Sequence, residues 1–472
     1  MRIYIFTWLL MTNIVSFAQD NFKSDYAKLL AEVRSGSQAY TNLKDATERI
    51  GHRLTGSVNG QKAEQLVFDI LTSYGYHVRF QPFEMVSWER KTLRMQVDGQ
   101  ELKAVSLAHS PQQVAIEAPL VDVGNGLEAD YQNKEVEGKV VMAYLQLLPG
   151  TAKGTQNLHR SEKTALAARF GAKGIIFINA VQGGVLLTGT ASITGKLIDI
   201  PAVCIGYEDG MALKQGLAKS AMSASIVMEN KARQVNARNV IATLPGKTKE
   251  KIVVGGHLDS WDLATGAIDN GIGAFAVVDM ARALKACGIK LKRTIEFVLF
   301  MGEEQGLLGS KAYVEETERT DGLTATRFML NFDMTNAPTG FYSSREEMQN
   351  LYRNWLEQLQ AVDSVYHGRI EIGAGLHSDH QPFMLKGIPY GGGSGGTLPN
   401  NAGAYYHSDR DIFELVDKQG MEQTVKLGAV LAYSLAQTAT LPVARLNDEE
   451  TRTYLERYGL KIPLQVSGDW KW

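Results

Sequence analysis

The chain has 472 residues, 44% hydrophobic and 21% charged, and its 49 Lys and Arg nearly balance 51 Asp and Glu for a formal charge of −2. That length exceeds what one compact core accommodates, so two or three domains are expected. The near-neutral balance gives no electrostatic basis for binding nucleic acid or an anionic membrane, and the composition is that of an ordinary soluble protein.

At the start, Arg2 precedes an apolar run from Ile3 to Met11, then Ile14 and Val15, and Ser16-Phe-Ala18 offers a small-residue cleavage site. Thr12 and Asn13 interrupt the run, which is too short to span a bilayer comfortably. Residues 1–18 therefore read as an export signal. The mature protein is expected to begin at Gln19, to be periplasmic or secreted, and to keep no membrane attachment. Cys204 lies in a buried-strand pattern and Cys287 at a helix end before Gly288, so neither belongs to a disulfide framework or a reactive-thiol site.

Apolar periodicity predicts a helix over residues 25–50, with Tyr26, Leu29, Leu30 and Val33 on one face. A loop follows at His52-Arg-Leu-Thr-Gly56, then a helix from Gln61 to Tyr74 and alternating strands over 76–98. From about Lys103 to Asn236 short strands predominate (Gln113 to Ala115, Pro119 to Val123, Lys139 to Leu145, Gly174 to Ile178, Ala202 to Ile205), with one helix from Ser161 to Phe170. This section reads as a self-contained β-rich module. It carries no catalytic cluster, so its expected role is substrate restriction or structure.

Beyond Asn239 to Leu244, strand and helix alternate regularly. Strands are predicted at 251–256, 294–301 and 327–332 and from Gly387, with helices at about 271–287, 307–317, 345–362 and 421–437. Such a βαβ succession builds a largely parallel sheet, so the expected class is α/β with an inserted β-rich domain.

Four predicted strand ends carry metal-ligand chemistry: His257 with Asp269, then Glu303-Glu304, then Asp333, then His407. In open α/β sheets, ligands bind at the carboxyl edge of the strands. A dinuclear metal hydrolase needs this inventory: an imidazole and carboxylates for each ion, a bridging carboxylate, and a free carboxylate as base. Mixed carboxylate and imidazole suit zinc best, with manganese or cobalt as alternatives. Each element alone has a plainer reading. Asp269 could simply cap a helix, and an adjacent glutamate pair is usually a solvated surface.

Taken in order, His257-Leu-Asp-Ser-Trp-Asp262, Gly266-Ala-Ile-Asp-Asn-Gly271, Gly302-Glu-Glu-Gln-Gly-Leu-Leu-Gly-Ser310, Asn331-Phe-Asp333 and Tyr406-His-Ser-Asp-Arg-Asp411 resemble the M28 family of zinc metallopeptidases. The His-Leu-Asp-Ser-Trp-Asp form and the inserted module are most similar to its carboxypeptidase Q branch. Glu137-Gly-Lys-Val-Val-Met142 and Ala168-Arg-Phe-Gly-Ala-Lys-Gly-Ile-Ile-Phe-Ile-Asn179 resemble the protease-associated domain.

The resemblance implies two zinc ions per chain, one held by His257 and Asp333, the other by Glu304 and His407, with Asp269 bridging. Glu303 would be the general base toward a metal-held water, and Asp259 would fix the far nitrogen of His257. The family often has Asp where Asn270 stands; that position is not a ligand. A Ser-Asp-His-x-Pro-Phe segment near the family's substrate pocket implies that Asp379 and His380 line that pocket or support the metal ligands from behind. Asp262 and Asp411 read as loop-capping carboxylates. His52, His77, His109, His159 and His367 have no supporting neighbours. The expected layout is residues 19–102 and 237–445 for the peptidase domain, 103–236 for the insert and 446–472 for a tail. Trp470 and Trp472 would pack onto the body or a second subunit, which leaves a homodimer open. The implied activity is an exported exopeptidase acting on dipeptides or short peptides, with an aminopeptidase on longer peptides, a cyclase-type acyl transfer or a non-catalytic binding protein as rivals.

Overall fold

The structure is a computed structural model, and it describes residues 21–320 and 322–472. The expected export signal lies outside the described residues. The strands are β1 (His77–Val97), β2 (Gln100–Leu102), β3 (Ala104–Ser106), β4 (Gln113–Asp122), β5 (Val140–Tyr144), β6 (Gly174–Ile178) and β7 (Ala202–Ile205), followed by β8 (Ser223–Leu244), β9 (Lys251–His257), β10 (Thr294–Phe300), β11 (Thr326–Asn331), β12 (Gly340–Ser343), β13 (Ile370–Ile372) and β14 (Tyr390–Ser394). They hydrogen-bond in the order β13-β12-β14-β11-β9-β10-β8-β4-β5-β6-β7-β3, with β1 beside β8 and β2 beside β1.

The parallel core is β10-β9-β11-β14. β9, β10 and β11 are short, mostly apolar runs buried on both faces, as parallel sheets require. On one face lies the helix Ile272–Cys287, apolar nearly all round and buried along most of its length. The helices Lys23–Gly36 and Lys418–Gln437 pack around it through Tyr26, Leu29, Val33, Val425 and Leu431. On the other face Tyr313, Phe383, Leu455 and Leu464 form a second core. Trp470 and Trp472 pack against this second core, so the tail docks on its own chain.

The predicted helix over 25–50 is two helices, Lys23–Gly36 and Ala39–Arg49. Ser37 turns extended between them, and the freed Gln38 N–H donates to Asp279 Oδ1 at 3.1 Å. A buried carboxylate on the neighbouring helix thus stabilises a break that local periodicity does not show.

β1 and β8 are single strands of 21 and 22 residues, paired antiparallel from His77↔Thr243 to Val97↔Ala224 with one register shift between Arg90 and Thr92. One end of β8 pairs with β10 in the peptidase sheet and the other with β4 in the insert. The ladder therefore joins the two sheets without a hinge loop, and residue 236 lies inside β8. Its middle, Lys231 to Arg238, is polar and largely solvated, so it lacks the alternation that marks a half-buried strand. Within the insert, β4 is likewise one strand where two were expected, and apolar cores cover both faces of its sheet.

Candidate active site

β10, β9 and β11 are adjacent, and their carboxyl ends deliver Glu303-Glu304, His257 and Asp333 to one edge of the sheet. Gly256 is required here by close approach, because a Cβ would lie 2.4 Å from Phe332 O. His257 ends β9, and the chain then loops to Asp269, just ahead of the long helix Ile272–Cys287. His407 arrives from the short turn Ala402–Tyr405, with the ring of Tyr406 stacked on its own at 3.7 Å.

The five expected ligands meet. His257 Nε2 lies 3.2 Å from Asp269 Oδ1 and 3.4 Å from Asp333 Oδ1. His407 Nε2 lies 3.0 Å from Asp269 Oδ2 and 2.9 Å from Glu304 Oε2. The two oxygens of Asp269 thus face two different imidazoles. Donor atoms of His257, Asp269 and Glu304 all fall within 4.8 Å of one another, which brings Glu304 close to both imidazole groups. Glu304 Oε1 is buried with no hydrogen-bond partner among the described residues, an arrangement that protein groups alone leave unsatisfied. These donors fit divalent metal: imidazole nitrogens and carboxylate oxygens converge on one another, a donor set that zinc takes.

The electrostatics follow from crowding. Burial and the neighbouring carboxylates Glu304, Asp333 and Asp379 hold Glu303 well above the usual carboxylate range, although His257 opposes them. Burial and Asp269 do the same to Glu304. Asp269 goes the other way, because hydrogen bonds from His257 and His407 outweigh its burial. Burial opposes protonation of His257, but Glu303 and Asp333 raise it well above an ordinary histidine. Burial lowers His407, and Arg160 adds to the effect.

Asp259 is placed differently from expectation. His257 Nδ1 faces the backbone carbonyl of Asp259 at 3.1 Å, while the carboxylate is 3.7 Å away. That carboxylate accepts instead from Thr55 Oγ1 at 2.9 Å and from Glu303 N at 3.3 Å. Asp262 forms a forked pair with Arg90, and Asp411 caps the backbone N–H groups of Ile268 and Asp269.

A cleft of about 420 Å³ opens onto the cluster, walled by Tyr342, His377, His380, Tyr390 and Gly391 to Gly393, with Glu303 in its lining. His380 stacks on Tyr390 at 4.3 Å. Asp379 does not line the cleft; it is fully buried, and that burial pushes it up to about 7. The short helix His380–Leu385 begins immediately after it, which turns the two side chains apart.

The insert reaches into the site, which the sequence did not reveal. Thr188 N donates to His407 O at 2.9 Å, Leu187 bridges to Ser408, and Leu186 N donates to Asp409 Oδ1 at 3.1 Å. Arg160, at the start of the helix Arg160–Arg169, places Nη2 3.0 Å from His407 Nδ1. His159, expected to be a surface or core residue, stacks on His377, a wall residue of the cleft, at 5.8 Å. The only local signal was that His159 precedes a helix with Glu162 three positions on, a capping pattern that says nothing of a distant partner.

Comparison with known proteins agrees with this geometry. Residues 239–432 match peptidase family M28 and residues 116–213 match the PA domain. Aminopeptidase YwaD of Bacillus subtilis is 26% identical over 416 residues, 86% of each chain. Carboxypeptidase Q of Mus musculus is 25% identical over 420 residues, 85% of this chain and 86% of its own. The crystal structure of a peptidase M28 precursor from Shewanella amazonensis superposes with a TM-score of 0.77 at 23% identity, over 90% of this chain and 99% of that one, a likeness of fold. Residues 239–432 thus form a peptidase domain of family M28, and a PA domain over residues 116–213 is inserted ahead of them.

Proposed function

We propose that the chain is a dinuclear zinc exopeptidase that hydrolyses dipeptides or short peptides. The observation that carries this reading is the division of Asp269 between His257 and His407, each imidazole facing its own carboxylate oxygen. Asp333 completes the His257 side and Glu304 the His407 side. Zinc, when bound, supplies Lewis acidity toward the scissile carbonyl and makes water acidic enough to attack near neutral pH.

The chain's own residues do the rest. Glu303 lines the cleft while its neighbour Glu304 faces His407, so Glu303 is free to take the proton from the attacking water and pass it to the leaving amine. Asp259 orients His257 through its carbonyl and holds the Glu303 backbone through its carboxylate. The cleft is of small-ligand size, and His159 and Arg160 of the insert back two of its wall residues, His377 and His407, which favours short substrates. His380 walls the substrate pocket, held by its stack on Tyr390. The name of the Bacillus relative favours the second reading, an aminopeptidase on longer peptides.

Metal analysis should give close to two zinc ions per chain, and a metal-free active protein would sink the mechanism. A panel of dipeptides against aminoacyl reporter amides separates the two readings, because a dipeptidase leaves the amides uncut. Export is inferred from Arg2 to Ala18. It is tested by the mature N-terminus, expected at Gln19 in periplasm or medium. No helix among the described residues is long and apolar enough to cross a membrane.

A further inference from the structure

We propose that Arg53 is a positioning residue for the metal centre, clamping the loop between His257 and Asp269 and, through Thr55, tying it to the loop that carries Glu303 and Glu304. This assignment rests on the metal-centre reading above.

Arg53 belongs to the His52-Arg-Leu-Thr-Gly56 loop, far in sequence from every expected ligand, yet it is fully buried. Its Nε donates to Leu258 O at 2.6 Å, Nη1 to Thr265 O at 2.8 Å and Nη2 to Gly266 O at 2.8 Å. Those carbonyls mark the two ends of the His257–Asp269 loop: Leu258 follows His257 directly, and Gly266 stands just before Ala267 and Ile268. Arg53 N also donates to Ser260 Oγ at 3.0 Å. A planar guanidinium holds these three carbonyls from three separate nitrogens in a rigid fork, whereas a lysine would have a single ammonium nitrogen on a flexible stem for all of them.

Thr55 extends the clamp. Its hydroxyl donates to Asp259 Oδ2 at 2.9 Å and accepts from Gly302 N at 2.8 Å. Its carbonyl accepts from Gln305 Nε2 at 3.2 Å and from Ser87 Oγ at 2.9 Å. One short segment therefore holds two ligand loops that leave adjacent strands. Asp259, Asp269, Glu304 and Asp411 surround the guanidinium electrostatically, although its hydrogen bonds go to carbonyls. Groups that orient ligands in this way change metal affinity or activity by about 10- to 100-fold when lost.

Arg293 is the matched control. It too is a buried arginine, donating to Leu435 O at 3.2 Å and to Thr438 O at 2.5 Å, but it stands beside Thr294 at the opposite end of β10. The experiment compares full-length wild type, R53K and R293K for zinc affinity by chelator competition, for the visible spectrum of the cobalt-loaded protein, and for kcat and KM on a dipeptide. R53K should bind zinc about 10- to 100-fold more weakly. It should also shift the cobalt bands and lose kcat more than it raises KM. R293K should lower the melting temperature and leave zinc affinity and the cobalt spectrum unchanged. If R53K does not fold, T55V decides, since it removes the link to Asp259 and Gly302 and should move the same readouts in the same direction. Wild-type zinc affinity and spectrum in R53K, or in T55V where it stands in, overturn the assignment, as does an equal effect of R293K. A wild-type chain that takes up no zinc sinks the metal-centre reading before any variant is compared.

Discussion

The Asp411 carboxylate accepts the Asp269 backbone N–H at 3.0 Å with one oxygen and the Ile268 N–H at 2.7 Å with the other. Asp411 lies four residues past His407, so the segment bearing one imidazole also fixes the backbone of the carboxylate that faces it. Replacing Asp411 with Asn would turn one acceptor into a donor aimed at an N–H. D411N should therefore weaken zinc binding by about 10- to 100-fold without unfolding the peptidase domain. Chelator competition measures this, and wild-type affinity would show that the loop is held without Asp411.

Glu303 and Glu304 are neighbours with opposite outlooks: Glu304 Oε2 lies 2.9 Å from His407 Nε2, whereas Glu303 faces the cleft. E303Q keeps the shape and removes the base. It should retain zinc while kcat falls by about 10²- to 10⁴-fold. E304Q should instead lose zinc from the His407 side. Metal content measured beside turnover separates the two, and an active E303Q would move the base elsewhere.

His257, Glu304 and Asp333 were legible in sequence because each closely follows an apolar strand, where a polar residue is conspicuous, whereas His407, expected at a strand end, follows the turn Ala402–Tyr405 instead. The fold was legible for the same reason over 251–332, where strands and helices alternate cleanly. What surrounds the ligands was not. Arg53 meets Leu258 and Thr55 meets Asp259 across more than 200 residues, and no local pattern encodes such contacts. The grip of Thr188 on His407 depends on how the insert lies over the peptidase domain, which is set by the β1–β8 ladder. That ladder escaped notice because its polar middle resembles a linker. Asp259 shows the limit even for a recognised motif: its place at the site was legible, but Thr55, which draws its carboxylate away from His257, was not.

Removal of metal should cost stability as well as activity. Asp259, Asp269 and Glu304 are buried together, and Asp333 joins them at the cleft. Without a bound cation these groups repel or must take up protons. Zinc at a hundredfold excess over its Kd should stabilise the folded chain by about 2.7 kcal/mol per site. Melting curves in chelator and in zinc measure this, and coincident curves would mean that the cluster does not bind the ion.

Acid should loosen the insert, and His109 is a buried group that makes it do so. Its ring is buried, Nδ1 pairs with Thr190 Oγ1 at 2.8 Å, and Nε2 has no hydrogen-bond partner among the described residues. Burial lowers it to about 4 from 6.5. A folded-state value below the unfolded one means that the unfolded chain takes the proton first, so stability falls as pH drops from 6.5 toward 4. At 1.36 kcal/mol per unit the full effect is about 3 kcal/mol. Because a chain whose insert has cores separate from those of the peptidase domain need not unfold in one step, hydrogen exchange across 106–112 and 186–200 is the right measurement. Wild type should lose protection there between pH 7 and 4.5, and H109Q should lose much less. Thr188 lies in that stretch and holds His407, so the same acidification should release zinc from the His407 side more readily in wild type than in H109Q. Equal loss of protection in both proteins would assign the acid response to another group.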